Sequence, residues 1–213
     1  MSPSRKLAAF LRRRGILDDR VLEAFARVPR ELFVPEDLRE RAYDDHALPI
    51  GHGQTISQPF MVAAICSALD LEGHERVLDV GTGSGYQAAV LAELAAEVVT
   101  IERVPALAEQ ARRALAEAGY ERVEVRIGDG TLGVPERAPF DGIAVAAAAP
   151  SVPEALYGQL APGGRLVVPV GSRRDQQLEI VTRGPHGRVV RKTVPCRFVP
   201  LVGAAGFTEH PAR

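Results

Sequence analysis

Val77-Leu78-Asp79-Val80-Gly81-Thr82-Gly83-Ser84-Gly85-Tyr86-Gln87 is the stretch on which the rest of this chain is organised. It reads as a short apolar strand carrying a carboxylate, then three alternating glycines, then the first turn of a helix. Glycine accepts positive φ and lets the backbone approach a ligand where a Cβ would block it. A glycine turn from strand to helix aims helix N–H groups outward at the carboxyl edge of a sheet. The stretch is therefore a cradle for a nucleotide cofactor.

Two fingerprints compete for it. Gly83-x-Gly85-x-x-Ala88 satisfies the loose dinucleotide pattern, which would make the chain a nicotinamide-dependent dehydrogenase. Asp79 argues the other way. It stands two residues before Gly81, at the mouth of the turn, where its charge opposes a pyrophosphate and suits a ligand bearing an ammonium and a sulfonium. Asp79-x-Gly81-x-Gly83-x-Gly85 resembles motif I of the S-adenosylmethionine-dependent methyltransferases. The plainer alternative, a glycine turn with no ligand, is set against downstream features that agree with a cofactor site.

Outward from the cradle, Tyr86 to Leu94 is predicted as a helix and Val98-Val99-Thr100-Ile101 as the second strand, ending in Glu102. Glu102 lies close to the spacing of the acid that holds a ribose hydroxyl pair; the alternative is a surface charge. Residues 105–118 form an amphipathic helix closed by Gly119. Val123 to Ile127 is the third strand, followed by Gly128-Asp129-Gly130. There Asp129 is placed to meet an adenine amino group, against the alternative of a turn aspartate. Phe140 to Ala146 is a near-continuous apolar strand, suited to a central parallel position. Strand 165–170 and a hairpin from 177–182 and 189–199 close the sheet edge. The predicted fold is α/β: a doubly wound, mostly parallel, Rossmann-like sheet with N-terminal helices and a C-terminal antiparallel addition. One domain over 1–213 is expected, with 1–58 forming the N-terminal helices and substrate loop and 59–213 the cofactor-binding core.

Ahead of the cradle, residues 4–33 read as two helices broken at Gly15, the second capped by Asp18. Arg12 to Arg14 read as a solvated face rather than a nucleic-acid patch, because the net charge is only −1. A long polar loop, Tyr43 to Pro59, follows, and such loops often carry function. Pro59 opens a helix striped with Met61, Val62, Ile65, Cys66 and Leu69. Thr55, Ile56 and Ser57 then lie just ahead of a helix N-terminus, where N–H groups and the dipole favour a bound carboxylate.

The 213 residues, 46% hydrophobic and 25% charged, suit a globular α/β chain. Cys66 and Cys196 have no C-x-x-C spacing, which fits a reducing compartment. The start of the sequence carries no apolar leader, and no apolar run reaches a membrane span. A cytoplasmic monomer without nucleic-acid or membrane partners is expected. The five histidines are scattered, so no metal is expected.

Together the loop and the turn resemble the protein-L-isoaspartate O-methyltransferase family. The matching stretches are Leu48-Pro49-Ile50-Gly51-x-Gly53-Gln54-Thr55-Ile56-Ser57-Gln58-Pro59, the cradle itself, Gly128-Asp129-Gly130, Pro139-Phe140-Asp141 and Arg197-Phe198-Val199-Pro200-Leu201-Val202. They occur in order along nearly the whole chain, and the Gly-Gln-Thr-Ile-Ser-Gln-Pro loop is the specific signal. One departure is Ala146-Ala147-Ala148-Ala149, where the family often carries Thr-Ala-Ala. The resemblance implies methyl transfer from S-adenosylmethionine, leaving S-adenosylhomocysteine, to the free α-carboxylate of L-isoaspartyl residues in damaged proteins and peptides. That acceptor is already ionised at pH 7 and needs no general base. It needs orientation and exclusion of water, a task assigned to the Ser57 hydroxyl. A small-molecule carboxylate acceptor is the alternative within the class; a non-catalytic cofactor-binding scaffold is another, for which the Ser57 loop would be superfluous. The expected cofactor contacts are Gln54, Thr55, Ile56, Ser57, Asp79, Gly81, Thr82, Gly83, Ser84, Gly85, Glu102, Arg103, Gly128, Asp129 and Gly130. The expected substrate contacts are Ile56, Ser57, Val199, Pro200 and Leu201.

Overall fold

The structure, a computed structural model, describes residues 1–209. Helix α1 (Pro3–Arg13) is capped by the Ser2 hydroxyl, which accepts from the Arg5 N–H, and it buries Leu7 and Leu11. Arg12, Arg13 and Arg14 are exposed, as a solvated face requires. Helix α2 (Asp19–Arg27) is capped by Asp18, whose carboxylate accepts from the N–H groups of Arg20 and Val21. Two short 3₁₀ turns, Arg30–Phe33 and Glu36–Arg41, lead into the predicted loop.

That loop is more ordered than its composition suggests. Leu48–Gly51 (β1) and Gln54–Ile56 (β2) pair antiparallel as a separate two-stranded sheet. Pro49, Gly51 and Gly53 mask the strands in the sequence, since proline and glycine are poor strand formers. The two glycines belong to the tip, where Gly51, His52 and Gly53 all take positive φ.

Helix α3 (Pro59–Leu69) starts at Pro59 as predicted. Then come β3 (Arg76–Val80), α4 (Tyr86–Ala92), β4 (Glu97–Glu102), α5 (Pro105–Glu117), β5 (Glu124–Ile127), β6 (Phe140–Val145), α6 (Glu154–Gly158), β7 (Leu160–Gly171), β8 (Gln176–Gly184) and β9 (Gly187–Cys196). The seven strands lie in the order β5-β4-β3-β6-β7-β8-β9. The first five are parallel, and β8 and β9 add antiparallel. Chain order runs outward from β3 to β4 and β5 on one side, then resumes with β6 on the other. The carboxyl ends of β3 and β6 therefore flank the switch point, where open α/β sheets bind their ligands.

Period-two alternation divides the strands between two cores. Val77, Val98, Ala144, Val167 and Ile180 face a layer of α1 to α5. Leu78, Val80, Val99, Ile143, Val145 and Val168 face the other way, onto Leu156 of α6, Val134 and Leu201. The predicted hairpin strand to residue 199 stops short, because β9 ends at Cys196 and Val199 to Leu201 are not part of it. They cross the carboxyl edge of the sheet instead: Ala148 N–H donates to the Val199 carbonyl at 2.8 Å, and Leu201 N–H to the Ala148 carbonyl at 2.7 Å.

Candidate active site

Gly81, Gly83 and Gly85 have φ of 92°, 52° and 90°, so each glycine of the cradle occupies the left-handed region that side chains avoid. A Cβ at Gly85 would also press on Leu115 at 3.2 Å. The turn is tied to the neighbouring strand: Gly81 and Thr82 N–H both donate to the Ile101 carbonyl. Glu102 completes the tie. Its Oε2 accepts from Gly83 N–H at 2.9 Å and its Oε1 from Val104 N–H at 3.0 Å. Each carboxylate oxygen has a second lone pair, and Glu102 lines the cavity that opens above the turn. It is thus fixed in place with acceptor capacity left on each oxygen.

Gly81, Thr82, Gly83, Ser84 and Arg103 line the same cavity, as do Gln54, Thr55, Ile56 and Ser57 from the loop. Asp79 does not, contrary to its expected place at the mouth of the turn. It is fully buried beneath the turn. One carboxylate oxygen accepts from Gln87 Nε2 at 2.7 Å and the other from Thr100 Oγ1 at 2.8 Å. Thr100 Oγ1 lies 2.7 Å from Thr82 Oγ1. Burial pushes the Asp79 carboxyl up to about 6, while hydrogen bonds from Gln87 and Thr100 pull it back. Asp79 thus acts on the cavity through Gln87, a lining residue absent from the expected set.

Asp129 also departs from expectation. Its carboxylate accepts from Thr131 N–H at 2.9 Å, Thr131 Oγ1 at 2.7 Å and Ala204 N–H at 2.8 Å. Burial disfavours its charge, but these donors outweigh burial and hold its pKa below the ordinary value. Gly128 and Asp129 do not line the cavity, and neither does Gly85, whose Cα side packs on Leu115 instead; Gly130 does. A Cβ at Gly130 would sit 2.8 Å from Val80 Cγ1, which explains the glycine there. Asp129 therefore fastens the C-terminal segment beside the cavity rather than reaching into it. Arg103 pairs with Glu209 of the same segment.

On the acceptor side, Ser57 lines the cofactor cavity and also a second one, shared with Thr55, Ala146 and Val199 and bounded by Gln58, Met61 and Phe198. The Ser57 hydroxyl makes no hydrogen bond among the described residues, while its carbonyl accepts from Arg30 Nη2 at 2.8 Å. Arg30 is fully buried. Its Nε donates to the Ala42 carbonyl at 2.7 Å, and its guanidinium carbon lies 4.5 Å from the centre of the Tyr86 ring. Burial lowers the Arg30 pKa from its ordinary value.

The helix N-terminus behind Ser57 does not offer the expected anion site. Pro59 has no N–H, Phe60 N–H donates to Asp45 Oδ1 at 2.9 Å, and Met61 N–H bonds the Gln58 carbonyl. Gln58 Nε2 holds the other Asp45 oxygen at 2.9 Å. The protein's own carboxylate thus fills the position, and no local sequence signal announces a cap 14 residues upstream of Pro59. Val199, Pro200 and Leu201 line the cofactor cavity, and Val199 lines both. Ala146 lines both cavities and contributes only a methyl group.

The cavity fits the cofactor that the turn implies. It combines a positive-φ glycine cradle with a strand-end glutamate held by two backbone N–H groups. No group of three or more metal-binding side chains occurs among the described residues. Sheet order and cavity together define the Rossmann-like class of S-adenosylmethionine-dependent methyltransferases.

Within that class, the family model described as protein-L-isoaspartate(D-aspartate) O-methyltransferase matches residues 2–206. Protein-L-isoaspartate O-methyltransferase 2 of Marinobacter nauticus is 60% identical over 196 residues, covering 91% of this chain and 90% of its own. The Methanoculleus marisnigri protein-L-isoaspartate O-methyltransferase is 54% identical, covering 92% and 90%. A solved protein-L-isoaspartate O-methyltransferase superposes with a TM-score of 0.86 at 32% identity, over 94% of this chain and 66% of that longer one. A Plasmodium falciparum structure described under the same family name, in complex with S-adenosyl-L-homocysteine, gives 0.82 at 27% identity, over 95% and 99%. The chain belongs to the protein-L-isoaspartate(D-aspartate) O-methyltransferase family.

Proposed function

We propose that the chain methylates the free α-carboxylate of L-isoaspartyl residues in damaged proteins and peptides, with S-adenosylmethionine as methyl donor. The observation that carries this reading is the position of Ser57, whose unpartnered hydroxyl belongs to both cavities. When bound in the glycine cradle, the cofactor supplies an electrophilic methyl group. Glu102 accepts hydrogen bonds from its ribose, and the turn from Gly81 to Gly85 holds it close to the backbone.

The residues around Ser57 orient the acceptor. Its hydroxyl donates to the acceptor carboxylate, and Arg30 holds the Ser57 carbonyl so that the hydroxyl keeps its place. Residues Val199 to Leu201, tied to Ala148, offer backbone along which an extended peptide is aligned. Isoaspartate carries its carboxylate on a short branch while the main chain runs through the side chain. A site that fixes both carboxylate and flanking backbone rejects ordinary aspartate by geometry. No base is required, because the acceptor is ionised at pH 7. The ester then collapses to a succinimide without further help from the enzyme.

Domain, partner and location readings belong to the same proposal: one domain over 1–213, acting as a cytoplasmic monomer without nucleic-acid or membrane partners. The net charge of −1 supports the absence of a nucleic-acid partner, and among the described residues no helix is long and apolar enough to cross a membrane. The test uses two peptides that differ only in aspartate versus isoaspartate, with methyl transfer followed as a base-labile ester. Methylation of the isoaspartyl peptide alone is expected; equal methylation of both removes the repair function. Calorimetry complements it: S-adenosylhomocysteine should bind and NAD should not, and the reverse result would restore the dehydrogenase alternative.

A further inference from the structure

The acceptor cavity beside Ser57 holds one formal charge among the described residues. Arg197 lines it, with no Asp, Glu, Lys or second Arg beside it in the lining. Cys196, the other titratable group there, stays neutral, because burial pushes its thiol up to about 11. Arg197 is exposed, and its guanidinium makes no hydrogen bond or ion pair among the described residues. An incoming carboxylate can therefore reach it without displacing a partner. The surrounding field has the same sign. Residues 160–209 carry eight Arg and Lys against three Asp and Glu, while residues 1–159 carry 17 against 24, so anions are steered toward the edge built by β7 to β9. Pro195 and Cys196 also border an open groove lined by Arg174 and Lys192. Asp175 and Glu179 balance the charge in that groove, with Lys192 3.6 Å from Glu179. The uncompensated cation is Arg197.

The anion that Arg197 suits is not the one that reacts. The reacting carboxylate must reach the cofactor's methyl group, so it lies where the two cavities meet. Thr55, Ser57, Ala146 and Val199 line both cavities; Arg197 lines only the outer one. A guanidinium on the reacting carboxylate would also draw off the electron density that attacks the methyl group. Arg197 stands two residues before Val199, which is at most about 7 Å of extended chain. The second anion therefore belongs close to the isoaspartyl position. We infer that Arg197 selects isoaspartyl peptides that carry an acidic side chain within about two residues of the damaged position. The planar guanidinium matches a carboxylate through two parallel hydrogen bonds. The inference rests on the acceptor reading above and narrows its substrate class. The selection is one of binding, not of the chemical step, so it is expressed in KM.

The test is a panel of isoaspartyl peptides with both termini blocked, so that the flanks supply the only variable charge. Glu, Gln or Lys is placed in turn at each of the two positions on either side of isoaspartate. With wild type, Glu should exceed Gln in kcat/KM by about threefold to tenfold at one or more of these positions, through KM. The advantage should shrink at high salt. With Arg197→Gln the Glu-to-Gln ratio should fall to about one, and with Arg197→Glu the preference should pass to Lys. The ratio is read within one enzyme preparation, so a loss of folded protein common to all peptides leaves it intact. Wild type with no preference for Glu at any position overturns the inference, as does a preference that survives Arg197→Gln. A preference expressed in kcat alone would put the second carboxylate at the reacting junction and overturns it too. Wild type that methylates no isoaspartyl peptide in the panel overturns the acceptor reading itself, and the inference with it.

Discussion

Glu102→Gln looks like the mildest change available at the cofactor site, and the structure says it is not. Both carboxylate oxygens already accept backbone N–H groups, from Gly83 and from Val104. A glutamine has one acceptor oxygen, so its NH₂ must confront one of those two donors. Glu102 is buried, and an orphaned donor there costs about 1–3 kcal/mol. For a chain of this length that predicts a fall of roughly 2–10 °C in the melting temperature of the ligand-free protein. Toward the ligand, a neutral acceptor replaces a charged one. Charged hydrogen bonds contribute about 1.5–3 kcal/mol and neutral ones about 0.5–1.5, a difference near 1–1.5 kcal/mol per bond. Two ribose hydroxyls then give about 2–3 kcal/mol, or roughly a 30- to 150-fold rise in the dissociation constant for S-adenosylhomocysteine. Thermal denaturation without ligand and calorimetry with it measure the two effects separately. A ligand-free melting temperature equal to wild type, with unchanged affinity, would refute both halves of the reasoning.

Ser57→Ala should lower kcat/KM on an isoaspartyl peptide by about tenfold to a hundredfold, the range expected when an acceptor is misplaced by about 1 Å. Binding of S-adenosylhomocysteine should be unchanged, and full activity would remove the role of the hydroxyl. Arg30→Lys keeps the buried charge but loses the fork that reaches the Ala42 and Ser57 carbonyls. Peptide KM should rise and the melting temperature fall, and peptide kinetics identical to wild type would show that the Ser57 carbonyl needs no such support. Asp79 gives a pH signature of unusual sign. Its folded pKa of about 6 lies above its ordinary 3.8, so the unfolded chain releases this proton first. The group's contribution is complete below pH 4 and is lost as pH rises through 6, to a limit of about 3 kcal/mol. The stability of Asp79→Asn relative to wild type should therefore climb between about pH 4 and 6 and level off above 7. A difference curve that is flat, or that falls, would place the Asp79 pKa in the ordinary range.

The glycine turn was legible because glycine takes the three positive φ values found there without the strain a side chain brings. Glu102 was legible because a parallel strand pair puts the residue after Ile101 beside the end of β3. Asp79 shows where such reasoning stops. Alternation along β3 sets it with Val77, on the side covered by α4, and not at the open edge. Whether a carboxylate there meets ligand or protein depends on Gln87, eight residues later, coming down over it. Glutamine on a helix carries no signal of its own. Asp45 was illegible for another reason: helix caps are sought next to the helix, and this one arrives from the far side of the β1–β2 hairpin. The hairpin was hidden by the glycines of its tip and by Pro49 within β1.

The carboxylate of Asp45 at the start of α3 bears on the reactivity of the acceptor. An anion seated against a positive helix end is well bound but a poor nucleophile, since the electron density it must donate is already drawn toward the donors. Any free carboxylate in the cell would also compete for such a seat. With Asp45 already occupying the position, an acceptor oriented by Ser57 as proposed would meet one neutral hydroxyl, keep its charge for the methyl group, and leave as an ester that the pocket has no reason to retain. On that proposal, a helix cap has a kinetic consequence: it keeps the site from becoming a carboxylate trap.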